Sequence, residues 1–338
     1  MLNAPTLGDV AKKAGVSKST VSRVLNKTAK ISETTRNRVL LAANELKYEP
    51  NAIAQSLTKR KTYTIGVILE DILNPFFTEV AKGIENTLKR AGYTMILTSS
   101  DYERGDEIRL TRMLIRYKVD GILITPLSAD SEGIELLRMR RLPFFMMNCK
   151  SLDKNVNWID SDNLEGGYIA ARHLIELGHR KMLCIRSRIV EGARERFEGF
   201  KKALEDFRIA LCDQITRGDA RSRSDGYKIV HELLSGEGKE GFPTAIIAVN
   251  DAVAIGAMEC LLEYGMRIPQ DVSIIGYDDI NVAALVRVPL TTVHQAKYKM
   301  GEIAAQQLLG KIESDDEVAQ QFLVKPKLII RESTGPVR

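Results

Sequence analysis

The sequence predicts an all-α helix-turn-helix head, a short helical connection, and an α/β body made of two doubly wound lobes. Two observations in the 338 residues lead to this fold class. Apolar residues recur at helical spacing on both sides of a glycine turn near the N-terminus. From Thr64 onward, short apolar runs alternate with helix-like stretches in two successive series, which is the pattern of parallel sheets covered by helices.

The head begins with two short helices. Gly15 supplies the backbone freedom that a tight turn requires, and Ser17 is placed to cap the second helix. In that helix Lys18, Ser19 and Arg23 point away from the apolar residues and are free to meet a ligand. This arrangement predicts a helix-turn-helix whose second helix enters the DNA major groove. The alternative is a helical hairpin whose charged face only meets water. The apolar face of the first helix consists of Leu7, Val10, Ala11 and Ala14.

The charge distribution favours nucleic acid as the partner of the head. Residues 1–61 carry twelve Lys/Arg and four Asp/Glu, whereas the remainder carries 37 basic and 40 acidic residues. A basic head on a mildly acidic body indicates an anionic partner for the head alone. A membrane surface fits less well, because residues 1–61 contain neither an aromatic-rich amphipathic stripe nor a lipidation motif.

In the next part of the chain the sequence predicts a third helix and, after it, a short segment whose helical stability is marginal. The third helix opens at Ser32 and stops before Pro50. Residues 51–58 could form two helical turns, well below the roughly 12–15 residues that an isolated helix needs in water. We therefore expect this segment either to fold only when something holds it or to be a plain linker.

The body is predicted to contain two α/β lobes with a cleft between them, and ligands to bind beyond the carboxyl ends of the strands. The predicted strands are 65–69, 95–98, 121–124, 144–147, 158–159, 182–185, 245–249, 272–277 and 291–293. The predicted helices are 76–91, 104–118, 166–177, 194–208, 226–235, 251–265 and 298–312.

Several classes of protein are excluded by missing features. There is no apolar signal-peptide core and no run near the ~20 apolar residues of a membrane span, so we expect a cytoplasmic protein with free thiols. The glycine pattern at 236–241 follows a helix and precedes a strand, which is the reverse of a dinucleotide fingerprint. Neither the four cysteines nor the four histidines show metal-ligand spacing, and no hydrolase motif occurs. We expect no catalytic residue, no metal and no cofactor.

The chain resembles the lac repressor/gal repressor family of bacterial transcription regulators along nearly its whole length. The head motifs that carry the resemblance are T-L-G-D-V-A-K-K-A-G-V-S-K-S-T-V-S-R-V-L-N at 6–26, E-T-T-R at 33–36 and P-N-A-I-A-Q-S-L at 50–57. In the body they are I-G-V at 65–67, N-P-F-F at 74–77, D-G-I-L at 120–123, D-N-L-E-G-G at 162–167, L-G-H at 177–179, R-F-E-G-F at 196–200, N-D at 250–251, G-Y-D-D at 276–279 and P-L-T-T-V-H-Q at 289–295.

The resemblance implies three domains. They are a DNA-binding head at 1–50, a hinge helix and linker at 51–61, and an effector-binding and dimerisation body at 62–338, which is periplasmic-binding-protein-like. In the head, Lys18, Ser19 and Arg23 are best placed for base edges. The other implied DNA-binding residues hold phosphates or suit the hinge, although for the small polar ones a role as cap or solvated surface is an equal alternative. They are Thr6, Ser17, Thr20, Ser22, Asn26, Asn51, Ala54 and Leu57.

The resemblance also implies a switch. Relatives fold the hinge helix on DNA, paired with its twin from a second subunit, and Leu57 occupies the place of the leucine that wedges into the central base step. A homodimer is therefore expected, because one head and one hinge cannot read a two-fold pseudo-palindromic operator. An effector that alters the spacing of the two lobes would change DNA affinity by linkage.

The effector is expected to be a small molecule, a sugar or a sugar derivative. One departure from the family bears on its chemistry: many relatives have an aromatic platform after the Gly-Asp turn, whereas this chain has Ala220. This disfavours a purine or a neutral pyranose and favours a polar or anionic sugar derivative read by arginines. The residues implied as effector contacts are Asn74, Phe77, Asn148, Arg194, Arg196, Asn250 and Asp278.

Two alternatives remain open at this point. One is a catabolite-control-type regulator that answers a phosphorylated carrier protein, although 298–311 lacks most of the pattern expected at that partner surface. The other is an enzyme of sugars or nucleosides on a similar frame, which would leave the basic head unexplained.

Overall fold

The computed structural model describes residues 5–26, 31–48, 61–210, 215–236, 241–314 and 318–337. The chain divides into two compact units, Met1–Thr62 and Tyr63–Arg338. The predicted hinge helix at 51–58, with Asn51, Ala54 and Leu57, lies outside the described residues.

The N-terminal unit contains the predicted helix-turn-helix. Its helices are α1 (Leu7–Ala14), α2 (Lys18–Asn26) and α3 (Glu33–Glu45). The turn after α1 uses Gly15 in the left-handed conformation, at φ 62°. Val10, Val21 and Val39, one from each helix, are fully buried and form the centre of a small shared core. This packing leaves the polar face of α2 exposed.

The described part of the second unit contains twelve strands and a series of helices. Its strands are β1 (Thr64–Leu69), β2 (Thr94–Ser99), β3 (Gly121–Ile124), β4 (Phe144–Met147), β5 (Trp158–Ser161), β6 (Met182–Ile185), β7 (Ile215–Arg217), β8 (Ala245–Ala248), β9 (Ser273–Asp278), β10 (Thr291–His294), β11 (Gln321–Val324) and β12 (Lys327–Ile329). Its helices are α4 (Pro75–Arg90), α5 (Arg104–Arg116), α6 (Glu132–Met139), α7 (Asn163–Glu176), α8 (Glu191–Asp206), α9 (Arg223–Gly236), α10 (Asp251–Glu263) and α11 (Lys297–Glu313), with a 3-10 turn at Asn281–Ala284.

These strands form two six-stranded sheets, one for each predicted lobe. The first lobe has the order β11-β5-β4-β3-β1-β2, and the second has the order β12-β10-β9-β8-β6-β7. All strand pairs are parallel except β10 with β12. The chain passes between the lobes three times, after β5, after β10 and after β11. Both lobes therefore depend on segments that are distant in sequence.

Four elements of the body were not predicted from the sequence. The strands β7, β11 and β12 each have three or four residues, and all three occupy sheet edges. β11 is only half-buried along its length, so it lacks the continuous apolar run that identified the central strands. Helix α6, the fourth, is also short, with eight residues. Short edge elements give little periodic signal because tertiary pairing rather than local sequence determines them.

Close helix packing in the body depends on glycines at contact points. An added Cβ at Gly83 on α4 would lie 2.1 Å from the carbonyl oxygen of Tyr298 on α11. An added Cβ at Gly301 on α11 would lie 2.1 Å from the carbonyl oxygen of Val80 on α4. The two helices thus approach each other backbone to backbone. Within the described ranges, no helix combines the length and the apolar character needed to cross a membrane.

Candidate functional site: a DNA-reading surface and an interlobe cavity

The outer face of α2 presents the side chains predicted to read DNA. Lys18, Ser19 and Arg23 are exposed, whereas Val21 and Val24 on the opposite face are buried. A helix with one face anchored in a core and the other exposed and cationic can place its side chains in a major groove. Arg23 is the residue of this set with the reach and the planar donor geometry for a bidentate contact to guanine.

Several of the small polar residues in the head have structural partners within it. Thr6 and Asp9 form a capping box at the start of α1: the N–H of Thr6 donates to the Asp9 carboxylate at 2.8 Å, and the N–H of Asp9 donates to the Thr6 hydroxyl at 3.4 Å. Ser17 caps α2 by accepting from the backbone N–H of Thr20 at 3.1 Å. The amide of Asn26 donates to the hydroxyl of Ser22 at 3.3 Å. These bonds fix the ends of the two helices, so the cap role that sequence left as an alternative is present for Thr6 and Ser17.

A cavity of about 420 Å³ lies in the second unit between the two lobes. Its polar residues stand at the carboxyl ends of strands from both sheets, which is where open parallel sheets bind ligands. Six of the seven residues predicted to contact an effector line it. They are Asn74, Phe77, Asn148, Arg196, Asn250 and Asp278. The structure adds Glu70, Phe76, Tyr102, Ser187, Val190, Ala193, Ala220, Arg221 and Val249.

Arg194 is the predicted effector residue that the structure does not place in this cavity. Its side chain is about half exposed and pairs with Glu191 at 2.6 Å. It lies along a separate depression at the surface, together with Arg188. Residues two apart on a helix do not share a face, so α8 cannot turn both Arg194 and Arg196 into the same cavity.

The Arg196 guanidinium is held by two hydrogen bonds along its edge and by an aromatic ring on one face. Its Nε donates to Asn163 Oδ1 at 2.8 Å, and its Nη1 donates to the carbonyl of Val249 at 2.8 Å. The guanidinium also lies over the ring of Tyr277, with 3.8 Å between its central carbon and the ring centre. A cation fixed in this way keeps its position in the cavity wall without rearrangement when a ligand enters.

Two predicted contact residues also form the caps of helices. Asn74 caps α4 by accepting from the N–H of Phe76 at 3.0 Å. Asn250 caps α10 by accepting from the N–H of Val253 at 2.8 Å, while its amide nitrogen donates to the carbonyl of Arg221 at 3.1 Å. Asn250 therefore positions a second arginine in the cavity wall in addition to lining it.

Two buried polar atoms in the cavity wall lack a partner among the described residues. They are Oδ1 of Asn148, from the first lobe, and Oγ of Ser187, from the second. The Asn148 amide nitrogen is engaged, since it donates to Glu70 at 3.4 Å. A buried polar atom without a partner costs about 1–3 kcal/mol. A ligand with hydroxyl groups would satisfy both atoms.

Two carboxyl groups in the cavity have raised pKa values. Burial raises the pKa of Glu70 to about 8, against the hydrogen bond from Asn148, so the group is protonated at neutral pH. Burial raises the pKa of Asp278 to about 6, although Arg196 and a 2.7 Å hydrogen bond from Gln295 favour its charged form. Asp278 is therefore mostly a carboxylate near pH 7, and it can accept hydrogen bonds from the hydroxyl groups of a ligand.

Buried Lys297 connects the end of β9 with the first lobe. Its Nζ donates to the carbonyls of Asp278 and Asp279, both at 2.7 Å, and lies 3.5 Å from Glu79 on α4. Lys297 begins α11, immediately after the chain crosses between lobes. The Lys297 ammonium therefore links the end of β9, where Asp278 lines the cavity, to the first residue of α11, where the chain has returned to the first lobe.

Four polar cavity residues, Glu70, Tyr102, Ser187 and Arg221, were not predicted from the sequence. Glu70 directly follows β1, and Ser187 lies two residues after β6. The rule that sites follow strand ends could have found both of them. Arg221 and Tyr102 stand further along their loops and belong to no motif, so only the fold identifies them.

Together these features define a class of protein: a DNA-binding regulator with a two-lobed body that holds a small-molecule site. Models of two families match, namely bacterial regulatory proteins of the lacI family over residues 6–51 and a periplasmic binding protein-like domain over residues 171–334. The HTH-type transcriptional repressor PurR of Haemophilus influenzae is 37% identical over 337 residues, which cover 98% of this chain and 99% of that protein.

Solved structures agree. The lac repressor dimer bound to operator and the anti-inducer ONPF has a TM-score of 0.87 at 28% identity, covering 98% of this chain and all of that one. A LacI family regulator from Enterococcus faecium with bound ribose has a TM-score of 0.73 at 32% identity, covering 81% of this chain and all of that one. The chain belongs to the lacI family of bacterial regulatory proteins, as a DNA-binding transcriptional repressor with an effector-binding domain.

Proposed function

We propose that this repressor acts as a homodimer on a pseudo-palindromic operator and that a sugar or sugar derivative bound between the lobes controls its operator affinity. One observation carries the proposal: each lobe contributes a buried, unpartnered polar atom to the same cavity, Asn148 Oδ1 and Ser187 Oγ. A ligand with several hydroxyl groups would bond to both atoms and so couple the lobes.

The chemistry of the cavity supports a ligand of this class. Carboxylate, amide and guanidinium groups line the cavity, and these are the groups that bind paired hydroxyls. Apolar contact for the carbon skeleton comes from Phe77 on one side and from Ala193, Ala220 and Val249 on the other.

Control of DNA binding follows from thermodynamic linkage. A ligand that contacts both lobes favours one spacing of the lobes over others. If that spacing changes the operator affinity of the dimer by a given factor, the operator changes the ligand affinity by the same factor. The three passages of the chain between the lobes are the segments where such a change in spacing would be accommodated.

A purine is the second candidate effector, because relatives at 37% identity are named PurR. The residues that line the cavity from the second lobe disfavour a purine. Residue 220, which follows the Gly-Asp turn, is an alanine buried in the core of the lobe, and no described aromatic ring of the second lobe lines the cavity. A planar base would therefore lack a stacking partner on that side.

Both candidates are tested with full-length protein and an operator selected from random duplexes. Operator affinity is measured by fluorescence anisotropy alone and with each of D-ribose, D-glucose, D-glucuronate, hypoxanthine and guanine. We expect specific binding to a pseudo-palindrome with a central pyrimidine–purine step, strongly weakened by salt, and a shift in affinity with a sugar or sugar derivative.

Three outcomes would contradict parts of the proposal. Binding no better than to scrambled DNA would overturn the repressor function. A response to purines alone would replace the effector class. Indifference to all five compounds, with a response to a phosphorylated carrier protein, would favour the catabolite-control type instead.

A further inference from the structure

Arg221 is a cationic side chain in the cavity wall that pairs with no carboxylate of the described residues. Its guanidinium lies over the ring of Tyr102 from the opposite lobe, with 5.2 Å between its central carbon and the ring centre. Two other cations at this end of the lobes pair with carboxylates. Arg188 pairs with Asp219 at 2.9 Å, and Lys150 pairs with Glu195 at 2.6 Å. Arg221 is half-buried, so its charge is only partly solvated.

The backbone of Arg221 is fixed by hydrogen bonds at both its N–H and its carbonyl. Its N–H donates to the carboxylate of Asp225 at 2.9 Å, and its carbonyl accepts from the amide of Asn250 at 3.1 Å. Asp225 is also occupied by the backbone N–H and the hydroxyl of Ser222, both at 2.9 Å. The nearest acid on this loop therefore holds the backbone in place and leaves the guanidinium donors of Arg221 for another partner.

The cavity has an excess of positive charge at neutral pH. Arg196 and Arg221 contribute two cations, and Asp278 contributes one anion because its pKa of about 6 lies below neutrality. Glu70 contributes no charge, since burial raises its pKa to about 8. A ligand with one negative charge would balance these groups, whereas a phosphate monoester would bring about −1.5 to −2.

We infer that Arg221 binds a carboxylate of the effector, so that the effector belongs to the sugar acids, small polyhydroxylated molecules with one carboxylate. The inference rests on the proposed function, since it specifies the ligand of the same cavity. A guanidinium binds a carboxylate through two parallel hydrogen bonds along its edge, which the ring of Tyr102 over its face leaves available. The unpartnered oxygens of Asn148 and Ser187 would meet the hydroxyl groups.

The experiment compares acids with their neutral parents on the full-length protein by isothermal titration calorimetry. The acids are D-glucuronate, D-galacturonate and D-gluconate, the neutral compounds are D-glucose and D-galactose, and D-glucose 6-phosphate separates phosphate from carboxylate. We expect at least one acid to bind at least about tenfold tighter than its parent. A neutral sugar that binds as tightly as its acid, or tightest binding of the phosphate, would overturn the inference.

Variants then assign the effect to Arg221. Arg221→Gln should weaken binding of the acid by about 10- to 100-fold and leave binding of the neutral parent unchanged. Arg221→Lys should restore part of the affinity, because it keeps the charge without the bidentate geometry. The control is Arg172→Gln on α7, which removes an exposed cation paired with Glu176 at 3.6 Å, far from the cavity residues in sequence. Equal weakening of acid and parent in Arg221→Gln would mean a structural role and would contradict the inference.

Failure of this inference is distinguishable from failure of the proposed function. If neutral sugars shift operator affinity and the acids do not, the proposed function stands and only the carboxylate assignment is wrong. If none of the compounds binds and operator affinity never changes, both proposals are wrong.

Discussion

The guanidinium of Arg196 lies over the ring of Tyr277, with 3.8 Å between its central carbon and the ring centre. Both residues belong to the second lobe, one on α8 and the other on β9. Tyr277 is buried against Gly166 of α7, where an added Cβ would lie 2.0 Å from the phenolic oxygen. The ring therefore cannot retreat, and the stacked arginine is held in the cavity wall by a rigid support.

Arg196→Ala should abolish the effector response and leave operator affinity nearly unchanged, because the side chain lines the cavity and belongs to the body. The readout is operator affinity as a function of effector concentration. Arg194→Ala is the matched control, since Arg194 is on the same helix but pairs at the surface with Glu191. An unchanged dose–response curve in Arg196→Ala would remove this residue from the site.

Substitutions of Asn250 should separate its two roles. Asn250→Asp keeps the acceptor that caps α10 but loses the donor to the carbonyl of Arg221, whereas Asn250→Ala loses both. We expect Asn250→Ala to lower the free energy of unfolding by about 1 kcal/mol, and Asn250→Asp to stay close to the wild type. Both variants should weaken effector binding. Denaturant unfolding and calorimetric titration measure the two effects. A fully stable Asn250→Ala protein would contradict the capping role.

Much of the site could be predicted because its chemistry sits in motifs at strand ends. Asn74 of N-P-F-F ends the loop that follows β1, and Asp278 of G-Y-D-D is the last residue of β9. Charge and nearness in sequence suggested Arg194 as an effector contact, but its side chain lies outside this cavity and pairs with Glu191, because positions 194 and 196 of the helix face different ways. A role of Arg194 in effector binding stays a prediction.

The remainder required the fold. Tyr102 and Arg221 come from different lobes and are brought together across the cleft, which no local pattern in either segment reveals. The raised pKa of Glu70 results from burial, which only the fold creates, and Asn148, which opposes the shift by donating to Glu70, is 78 residues away in sequence. The crossings of the chain between sheets also escaped prediction, because β11 and β12 are short edge strands.

Gly167→Ala should destabilise the second lobe. An added Cβ at this position of α7 would lie 1.9 Å from the carbonyl oxygen of Arg196 on α8, so the two helices would have to separate. We expect the free energy of unfolding to fall by about 1–3 kcal/mol, and effector affinity to fall with it as Arg196 shifts. The matched control is Gly310→Ala on α11, where nothing lies within 4 Å of the added Cβ. That variant should gain about 0.5–1 kcal/mol from its higher helix propensity. Equal stability of the two variants would argue against the close contact.

Glu70→Gln should make stability less dependent on pH. Burial raises the pKa of Glu70 from its ordinary 4.5 to about 8, so the folded protein keeps a proton that the unfolded chain releases. The contribution of this group is fully present below about pH 4.5 and is lost as the pH rises toward 8. Relative to the wild type, the variant should therefore be more stable at pH 8 than at pH 5. The groups that act on this carboxyl are Asn148, Arg196, Asp160 and Glu107.

Denaturant unfolding at pH 5, 6, 7 and 8 measures this difference between variant and wild type. Asp160, Asp278 and the other titrating groups are present in both proteins, so the comparison isolates Glu70. Glu135→Gln, at an exposed position of α6, is the control and should parallel the wild type at every pH. A constant difference between Glu70→Gln and the wild type from pH 5 to pH 8 would show that the carboxyl is ionised throughout.

Arg23→Ala should weaken operator binding through the loss of base readout. Arg23 is exposed on the recognition face of α2, while Val24 beside it anchors the helix in the core of the head. A bidentate contact to guanine provides about 1–3 kcal/mol of discrimination, so affinity for the selected operator should fall by roughly 5- to 150-fold. Binding to scrambled DNA should fall much less, because phosphate contacts supply that affinity.

Lys13→Ala is the matched control for charge, because it also removes one cation from the head. Lys13 pairs with Glu45 on α3 at 2.6 Å, and both side chains are exposed, so little stability depends on the pair. Anisotropy titrations at several salt concentrations against the selected and scrambled duplexes compare the two variants. If Arg23→Ala weakens both duplexes by the same factor, Arg23 contacts phosphate and the base-reading role belongs to Lys18 or Ser19, because a backbone contact carries no sequence preference.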